Sequence, residues 1–153
     1  MNNFPNLKKP THLFATLFGI GKLPYGPGTW GSVATLFLWV GCGSFIQSNF
    51  LILVFILCFS VIICHLATLN LIEKDQKSIV IDEFAGMWLA LFIVSDVAAA
   101  GLTFLLFRVF DIFKPFPISY IDKNVKSGLG IVLDDLLAGL ASGYLTVLIY
   151  FFL

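Results

Sequence analysis

Five apolar runs occupy most of this sequence and limit the folds open to it. They cover Thr29–Ile46, Phe50–Ile72, Phe84–Val94, Val97–Phe113 and Ile131–Leu153, and a shorter run precedes them at Leu13–Ile20. A helix that crosses a bilayer needs about 20 residues, a length that the second and fifth runs exceed and the first approaches. The third and fourth runs are shorter, and only Ser95 and Asp96 separate them, which is typical of a tight helical hairpin.

The composition agrees with a membrane protein. Hydrophobic residues make up 59% of the 153 residues and charged residues 12%, whereas a soluble domain carries about a quarter charged residues. The mean hydropathy is +0.98. We therefore predict an all-α fold, a polytopic membrane helical bundle of about five main hydrophobic helices, with Leu13–Ile20 as a short N-terminal interfacial or re-entrant helix. Residues 1–10 would form a cytoplasmic tail and residues 11–153 a single membrane-embedded domain.

The distribution of lysines predicts an orientation in the membrane. If the runs alternate across a bilayer, the lysines that flank them all fall on one side: Lys8, Lys9, Lys22, Lys74, Lys77, Lys114, Lys123 and Lys126. The connections at Gln47–Asn49 and Ser95–Asp96 contain no basic residue. Basic loops stay in the cytoplasm, so the N-terminus is predicted inside and the C-terminus outside. A formal net charge of zero gives no reason to expect nucleic-acid binding.

Two pairs of adjacent carboxylates begin apolar runs on this cytoplasmic side. Asp82–Glu83 precedes the third run and Asp134–Asp135 lies at the start of the fifth. Carboxylates at a membrane edge are costly, and adjacent ones repel unless a cation is bound. Oxygen ligands of this kind suit Mg²⁺. The alternative is that each pair only stabilises a helix N-terminus, but both pairs are followed by Ala-Gly, which lets helices approach closely and favours an ion site.

A third cluster of charge lies at the end of the fourth run. Arg108, Asp111 and Lys114 are spaced by three residues and should share one helical face. A guanidinium matches a phosphate bidentately, so this face is one candidate phosphate pocket. An Arg–Asp pair that is neutralised at a helix end, with Lys114 reaching to the interface, explains the spacing equally well.

Two polar loops lead into the apolar runs. Gly19–Ser32 contains five glycines, whose amides could cradle an anion, although it matches neither the P-loop nor the dinucleotide fingerprint. A tight turn before a membrane span explains this loop as well. In the second loop, Tyr120–Gly130, Asp122 is left open as a ligand, a helix cap or a solvated side chain.

Several phosphatase mechanisms lack their residues here. No Cys is followed six positions later by Arg, no Asp-x-Asp occurs, and the two histidines, His12 and His65, are far apart. These absences disfavour a cysteine nucleophile, the usual aspartyl-phosphate mechanism and a histidine-based mechanism. The remaining chemistry is water activated by a metal ion or by a carboxylate base.

Four ordered blocks make the sequence resemble a known family. "GIGKLPYGPGTWGS", "IVIDEFAGMW", "FRVFDIFKPFPI" and "DKNVKSGLGIVLDDLLAG" resemble the phosphatidylglycerophosphatase A family from about Thr11 to the C-terminus. The resemblance implies a Mg²⁺-dependent phosphatase, a phosphoric monoester hydrolase of the bacterial inner (cytoplasmic) membrane with its active site on the cytoplasmic side. Its phospholipid substrate would be phosphatidylglycerophosphate, and its products phosphatidylglycerol and phosphate.

The resemblance also implies roles for individual residues. The metal ligands would be Asp82, Glu83, Asp134, Asp135 and Asp111. Arg108 and Lys114 would bind the phosphoryl oxygens and complete the catalytic set, and Glu83 is the candidate acceptor of a proton from water. The head group would be held by Gly28, Thr29, Gly31 and Ser32. The family pattern departs after Asp75, where Gln76–Lys77 follows, so the contribution of Asp75 stays open.

Two other functions are possible for such a sequence. A small cation- or proton-coupled transporter could use the acidic pairs as an ion site, but it should place them near the midplane and open to both sides. A lipid-binding or scaffold protein would leave the acidic and basic clusters on one side unexplained. Phosphate release with and without Mg²⁺ separates these functions from a phosphatase.

Overall fold

The fold is given by a computed structural model, which describes residues 4–69, 71, 76–125 and 128–152. Every regular element in these ranges is a helix, which confirms the all-α prediction. The helices are α1 (Pro10–Ala15), α2 (Pro27–Gly41), α3 (Gly43–Gln47), α4 (Phe50–Thr68), α5 (Ile81–Val94), α6 (Ala100–Phe113), α7 (Ile118–Asn124) and α8 (Gly128–Phe152), with a 3₁₀ turn at Ile20–Lys22.

The five longest helices lie in the five apolar runs, but two boundaries differ from the prediction. The first run is divided into α2 and α3 at Cys42. The short N-terminal helix begins at Pro10 and ends at Ala15, because proline suits the first turn of a helix and Leu17 and Phe18 adopt positive φ angles. The predicted helix over Leu13–Ile20 is therefore wrong in both of its bounds.

Membrane crossing is supported for two helices in the described part of the chain. Only α4 and α8 are long and apolar enough by length and composition; α5 and α6, with 14 residues each, would extend about 21 Å across a hydrocarbon core of about 30 Å. Phe55 on α4 and Phe151 on α8 are 67% and 80% exposed, as expected of a surface that faces lipid. The prediction of five spans is therefore not confirmed for the other three helices.

Helix α5 lies at the centre of the bundle and packs against α8, α2 and α4. Its crossing with α8 has no room for side chains: a Cβ on Gly139 would overlap the carbonyl oxygen of Gly86, and a Cβ on Gly86 would overlap that of Asp135. The expectation that the Ala-Gly pairs allow close approach is confirmed. Asp82 and Asp135 each lie one helical turn before these glycines, so the crossing brings their two turns together.

Candidate active site

The acidic pairs face a single cavity of about 490 Å³. It is formed by α5, the end of α6, α7, the first turns of α8 and the segment that precedes α5. Its charged lining residues are Lys77, Asp82, Glu83, Asp111, Lys114, Asp122, Asp134 and Asp135. Six carboxylates and two ammonium groups leave the wall with an excess of negative charge, which suits a cation better than a free anion.

Three of the carboxylates form the centre of this site. One oxygen each from Asp82, Glu83 and Asp135 can be chosen so that all lie within 4.8 Å of one another. Asp82 and Asp135 are only 7% and 4% exposed, so little water is available to screen their repulsion.

The start of α5 determines where two of these carboxylates lie. No side chain caps the helix at Val80; instead, the Val80 N–H donates to the carbonyl oxygen of Ala15 at 2.9 Å, which ties the start of α5 to the end of α1. Asp82 accepts a hydrogen bond from the Glu83 N–H at 3.1 Å. The helix N-terminus therefore offsets part of the negative charge of the pair.

An unsatisfied oxygen at this site supports a bound cation. Glu83 Oε2 is buried and has no hydrogen-bond partner among the described residues. A buried carboxylate oxygen without a partner is costly, and a divalent ion held by several carboxylates would remove the cost. Mg²⁺ prefers oxygen ligands and keeps several waters, so the donor set and the space beside it fit this ion.

Asp134 and Asp111 lie in the same cavity and are each paired with a basic side chain. Asp134 Oδ2 accepts a hydrogen bond from Lys114 Nζ, while its buried Oδ1 has no partner in the described ranges. Asp111 forms an ion pair with Arg108 and lies at hydrogen-bonding distance from Asp135. The structure thus separates the five predicted ligands into a group of three and two neighbours that are paired with cations.

Arg108 and Lys114 do not share one helical face as the spacing predicts. The Arg108 Nη1 group donates to Asp111 and, at 3.4 Å, to Ser32 Oγ, and Arg108 lies outside the set of residues that line the cavity. Lys114 follows the last residue of α6 in a left-handed conformation, with φ of 42°. Because Pro115 cannot continue the helix, α6 ends before Lys114, whose side chain pairs with Asp122 and Asp134 while Arg108 pairs with Asp111.

Lys114 lies between carboxylates from two helices. Its Nζ donates to Asp122 on α7 and to Asp134 on α8. Burial alone would lower the pKa of Lys114, but the hydrogen bonds from Lys114 to Asp122 and Asp134 outweigh it and hold the pKa above its ordinary value. Lys114 therefore stays charged on the cavity wall.

The glycine-rich segment Gly19–Ser32 contains the 3₁₀ turn at Ile20–Lys22 and ends in the first turns of α2, which begins at Pro27. Gly28 packs against the Glu83 carboxylate, and Gly31 packs against Val80. Ser32 Oγ donates to the Gly28 carbonyl oxygen at 3.0 Å. These two residues, together with Gly31 and the half-buried Thr29, do not line the cavity. Gly28 and Gly31 pack against the start of α5 on the side away from the cavity. The predicted contact of this segment with a head group stays a prediction.

The sequence leaves the role of Asp122 open and indicates no role for Lys77, although both line the cavity. Asp122 is an ion-pair partner of Lys114, which the sequence alone could not reveal, because the two residues lie on either side of a proline-rich turn. The position of Asp75, whose contribution was left open, lies outside the described residues.

Comparisons with known proteins identify one matching family and several relatives of this chain. A family model described as phosphatidylglycerophosphatase A matches residues 13–150. A protein named phosphatidylglycerophosphatase A from Escherichia coli K12 is 38% identical over 89% of this chain and 81% of its own length. A protein of the same name from Haemophilus influenzae is also 38% identical, over 88% of this chain and 85% of its own length.

A third relative carries a different name. A protein of Bacteroides thetaiotaomicron, whose name provisionally assigns it a phosphatidylinositol-3-phosphatase activity, is 32% identical over 89% of this chain and 92% of its own length. No solved structure matches the chain at a significant level.

Proposed function

The chain belongs to the phosphatidylglycerophosphatase A family, and on that premise we propose that it hydrolyses phosphatidylglycerophosphate to phosphatidylglycerol and inorganic phosphate with the help of Mg²⁺. The observation that carries the proposal is the cavity in which three buried carboxylates converge and Lys114 lies on the same wall. A phosphate monoester bound there would meet a metal site and a fixed positive charge together.

We assign the metal to Asp82, Glu83 and Asp135, with Asp134 and Asp111 as further ligands on either side. Glu83 Oε2 and Asp134 Oδ1 are the buried carboxylate oxygens without partners in the described part of the chain, and both belong to this set. When bound, Mg²⁺ would neutralise the carboxylates and supply Lewis-acid stabilisation of the charge that develops on the phosphate.

The remaining groups act through their own charge and position. Lys114 Nζ would bind a phosphoryl oxygen and stabilise its developing charge. Arg108 would orient Asp111 through their ion pair, and the Arg108 guanidinium group also donates a hydrogen bond to Ser32 Oγ. In the reaction a water oxygen bonds to phosphorus as the bond to the glycerol oxygen breaks. Glu83 is the candidate acceptor of the water proton, and the glycerol oxygen takes up a proton as it leaves.

We further propose that the protein is a multi-pass protein of the bacterial inner membrane with its cavity at the cytoplasmic face. Helices α4 and α8 are long and apolar enough for two spans, and the shorter helices α2, α5 and α6 would complete the five predicted ones. Asp82 lies in the first turn of α5 and Asp135 about two turns from the start of α8, which would place the cavity towards one end of the bundle. The lipid could then present its phosphate while its acyl chains stay in the inner leaflet.

The transporter alternative receives no support from these observations. The matched family and the two relatives that share its name are phosphatases by name. The carboxylates also gather at one end of α5 and α8, whereas a transporter would place them near the midplane with access from both sides.

The test is phosphate release by the purified protein in detergent. We expect release from phosphatidylglycerophosphate that requires Mg²⁺ and stops with a chelator. The panel should include phosphatidate, lysophosphatidate and phosphatidylinositol 3-phosphate. Asp82→Asn should abolish turnover, and Asp96→Asn, which alters an exposed carboxylate in the turn between α5 and α6, should not. Normal turnover by Asp82→Asn, or release that is independent of any divalent ion, would refute the proposed metal site.

A further inference from the structure

We propose that Asp122 is a positioning residue, which holds the Lys114 ammonium group in the cavity for the substrate phosphate. The proposal rests on the proposed phosphatase function and adds to it a residue outside the carboxylates of the metal site. It concerns the contact between α7 and the end of α6.

The geometry around Lys114 gives it two anchors of different kinds. Asp134, from α8, is almost entirely buried, whereas Asp122, from α7, is about one-third exposed, at 36% of its side chain. Both accept from the same Nζ, and all three side chains line the cavity. The ammonium group therefore lies between the deep part of the site and its opening.

The two anchors are not equivalent once the site is occupied. Asp134 is adjacent to Asp135 in sequence, and its Oδ1 is a buried oxygen without a partner, so it is available to a cation. When Asp134 shares its charge with a cation, its hold on Lys114 weakens. Asp122 then remains as the anchor that keeps the ammonium group on the cavity wall.

Such an anchor matters because the Lys114 side chain is flexible. The four-carbon side chain has several rotamers, and ordering it carries an entropy cost. The Asp122 contact lowers that cost before the substrate arrives, which is how a preorganised site gains affinity.

The rival explanation is a structural role of Asp122 that does not act through Lys114, such as the stability of α7 itself. The two roles differ in whether the effect of Asp122 depends on Lys114. A positioning residue acts only through the group that it positions, so its substitution should have no effect once Lys114 is removed. A structural residue should have the same effect in either background. A structural role of the ion pair would instead lower the thermal-unfolding midpoint of both single variants, which a positioning role would not.

The experiment is a double-mutant cycle read by calorimetric titration of inorganic phosphate into Mg²⁺-loaded protein in detergent. The four proteins are the unmodified chain, Asp122→Asn, Lys114→Met and the double variant. We expect each single substitution to weaken phosphate binding about tenfold, and the double variant to match Lys114→Met. This readout does not require turnover, so loss of activity in Lys114→Met does not prevent the comparison.

Two further variants check the assignment. Asp122→Glu keeps the charge and should recover part of the affinity that Asp122→Asn loses. Lys123→Ala alters an exposed neighbour on the same short helix and should leave binding unchanged. With phosphatidylglycerophosphate as substrate, Asp122→Asn should raise KM more than it lowers kcat.

The possible failures are distinct. If the two single effects multiply in the double variant, or if Asp122→Asn binds phosphate normally, the positioning role is wrong even though the chain hydrolyses phosphatidylglycerophosphate. If the cycle shows coupling but phosphatidylglycerophosphate is not hydrolysed, the proposed lipid substrate is wrong and the contact between Asp122 and Lys114 stands.

Discussion

Gly28 on α2 lies directly against the carboxylate of Glu83 on α5, so closely that a Cβ on Gly28 would overlap Glu83 Oε1. The glycine thus forms the rear wall of the carboxylate group, on the side away from the cavity. Because Glu83 Oε2 is the buried oxygen that lacks a partner, the direction of this side chain decides whether it can share a cation with Asp82 and Asp135.

Gly28→Ala is therefore expected to reduce phosphate release by about 10- to 100-fold, because a displacement of Glu83 by about 1 Å misplaces a reacting group. The matched control is Gly41→Ala at the other end of α2, where a Cβ would meet nothing within 4 Å. Initial rates at saturating Mg²⁺ measure the effect. Equal activity of the two variants would show that the contact with Gly28 does not determine the position of the Glu83 carboxylate.

Gly139→Ala is expected to destabilise the helix crossing on which the whole site depends. A Cβ there would overlap the Gly86 carbonyl oxygen, so α5 and α8 must separate, at a cost of about 1–3 kcal/mol. Thermal unfolding in detergent should show a lower midpoint, together with weaker Mg²⁺ activation. Gly101→Ala, on α6 with open space around it, should instead be neutral or slightly stabilising. A normal midpoint for Gly139→Ala would mean that α5 and α8 have room for a methyl group at their crossing.

The helices could be predicted from the sequence because apolar runs with few charges leave little alternative to helices in a bilayer. Their ends were harder to predict. Pro10 starts α1 earlier than its apolar run begins, and a break at Cys42 ends α2 early, because helix ends depend on local backbone geometry that hydropathy does not record.

The candidate site could be predicted only as far as which acidic residues converge. Asp134 and Asp135 are adjacent in sequence, but successive residues on a helix point about 100° apart, so one faces Lys114 and the other faces Asp82. The sequence does not record this difference. Nor does it record whether a glycine-rich segment approaches a ligand or another helix, and Gly28 and Gly31 approach α5 and the residue before it.

Asp135→Asn and Asp134→Asn are expected to differ in their need for Mg²⁺. Asp135 belongs to the group of three carboxylates, whereas Asp134 is bonded to Lys114. Asp135→Asn should weaken Mg²⁺ activation by more than about 100-fold, which is beyond the effect of losing an outer-shell partner. Asp134→Asn should change it less and should mainly raise KM. Titration of activity with Mg²⁺ gives the concentration that each variant needs for activation. A larger effect in Asp134→Asn than in Asp135→Asn would mean that Asp134, and not Asp135, is the main metal ligand.

Thermal unfolding separates an ion site from the simpler view that the acidic pairs only stabilise helix N-termini. In a metal-free protein, Asp82, Glu83 and Asp135 repel one another in a buried site, so Asp82→Asn should raise the unfolding midpoint measured with a chelator present. Mg²⁺ at about 100 times its Kd should stabilise the unmodified chain by about 2.7 kcal/mol, a rise of roughly 5–10 °C, and should do much less for Asp82→Asn. Asp96→Asn, outside the site, should respond to Mg²⁺ like the unmodified chain. If the helix dipole were the main partner of these carboxylates, Asp82→Asn would instead lower the metal-free midpoint, and Mg²⁺ would have no specific effect on either protein.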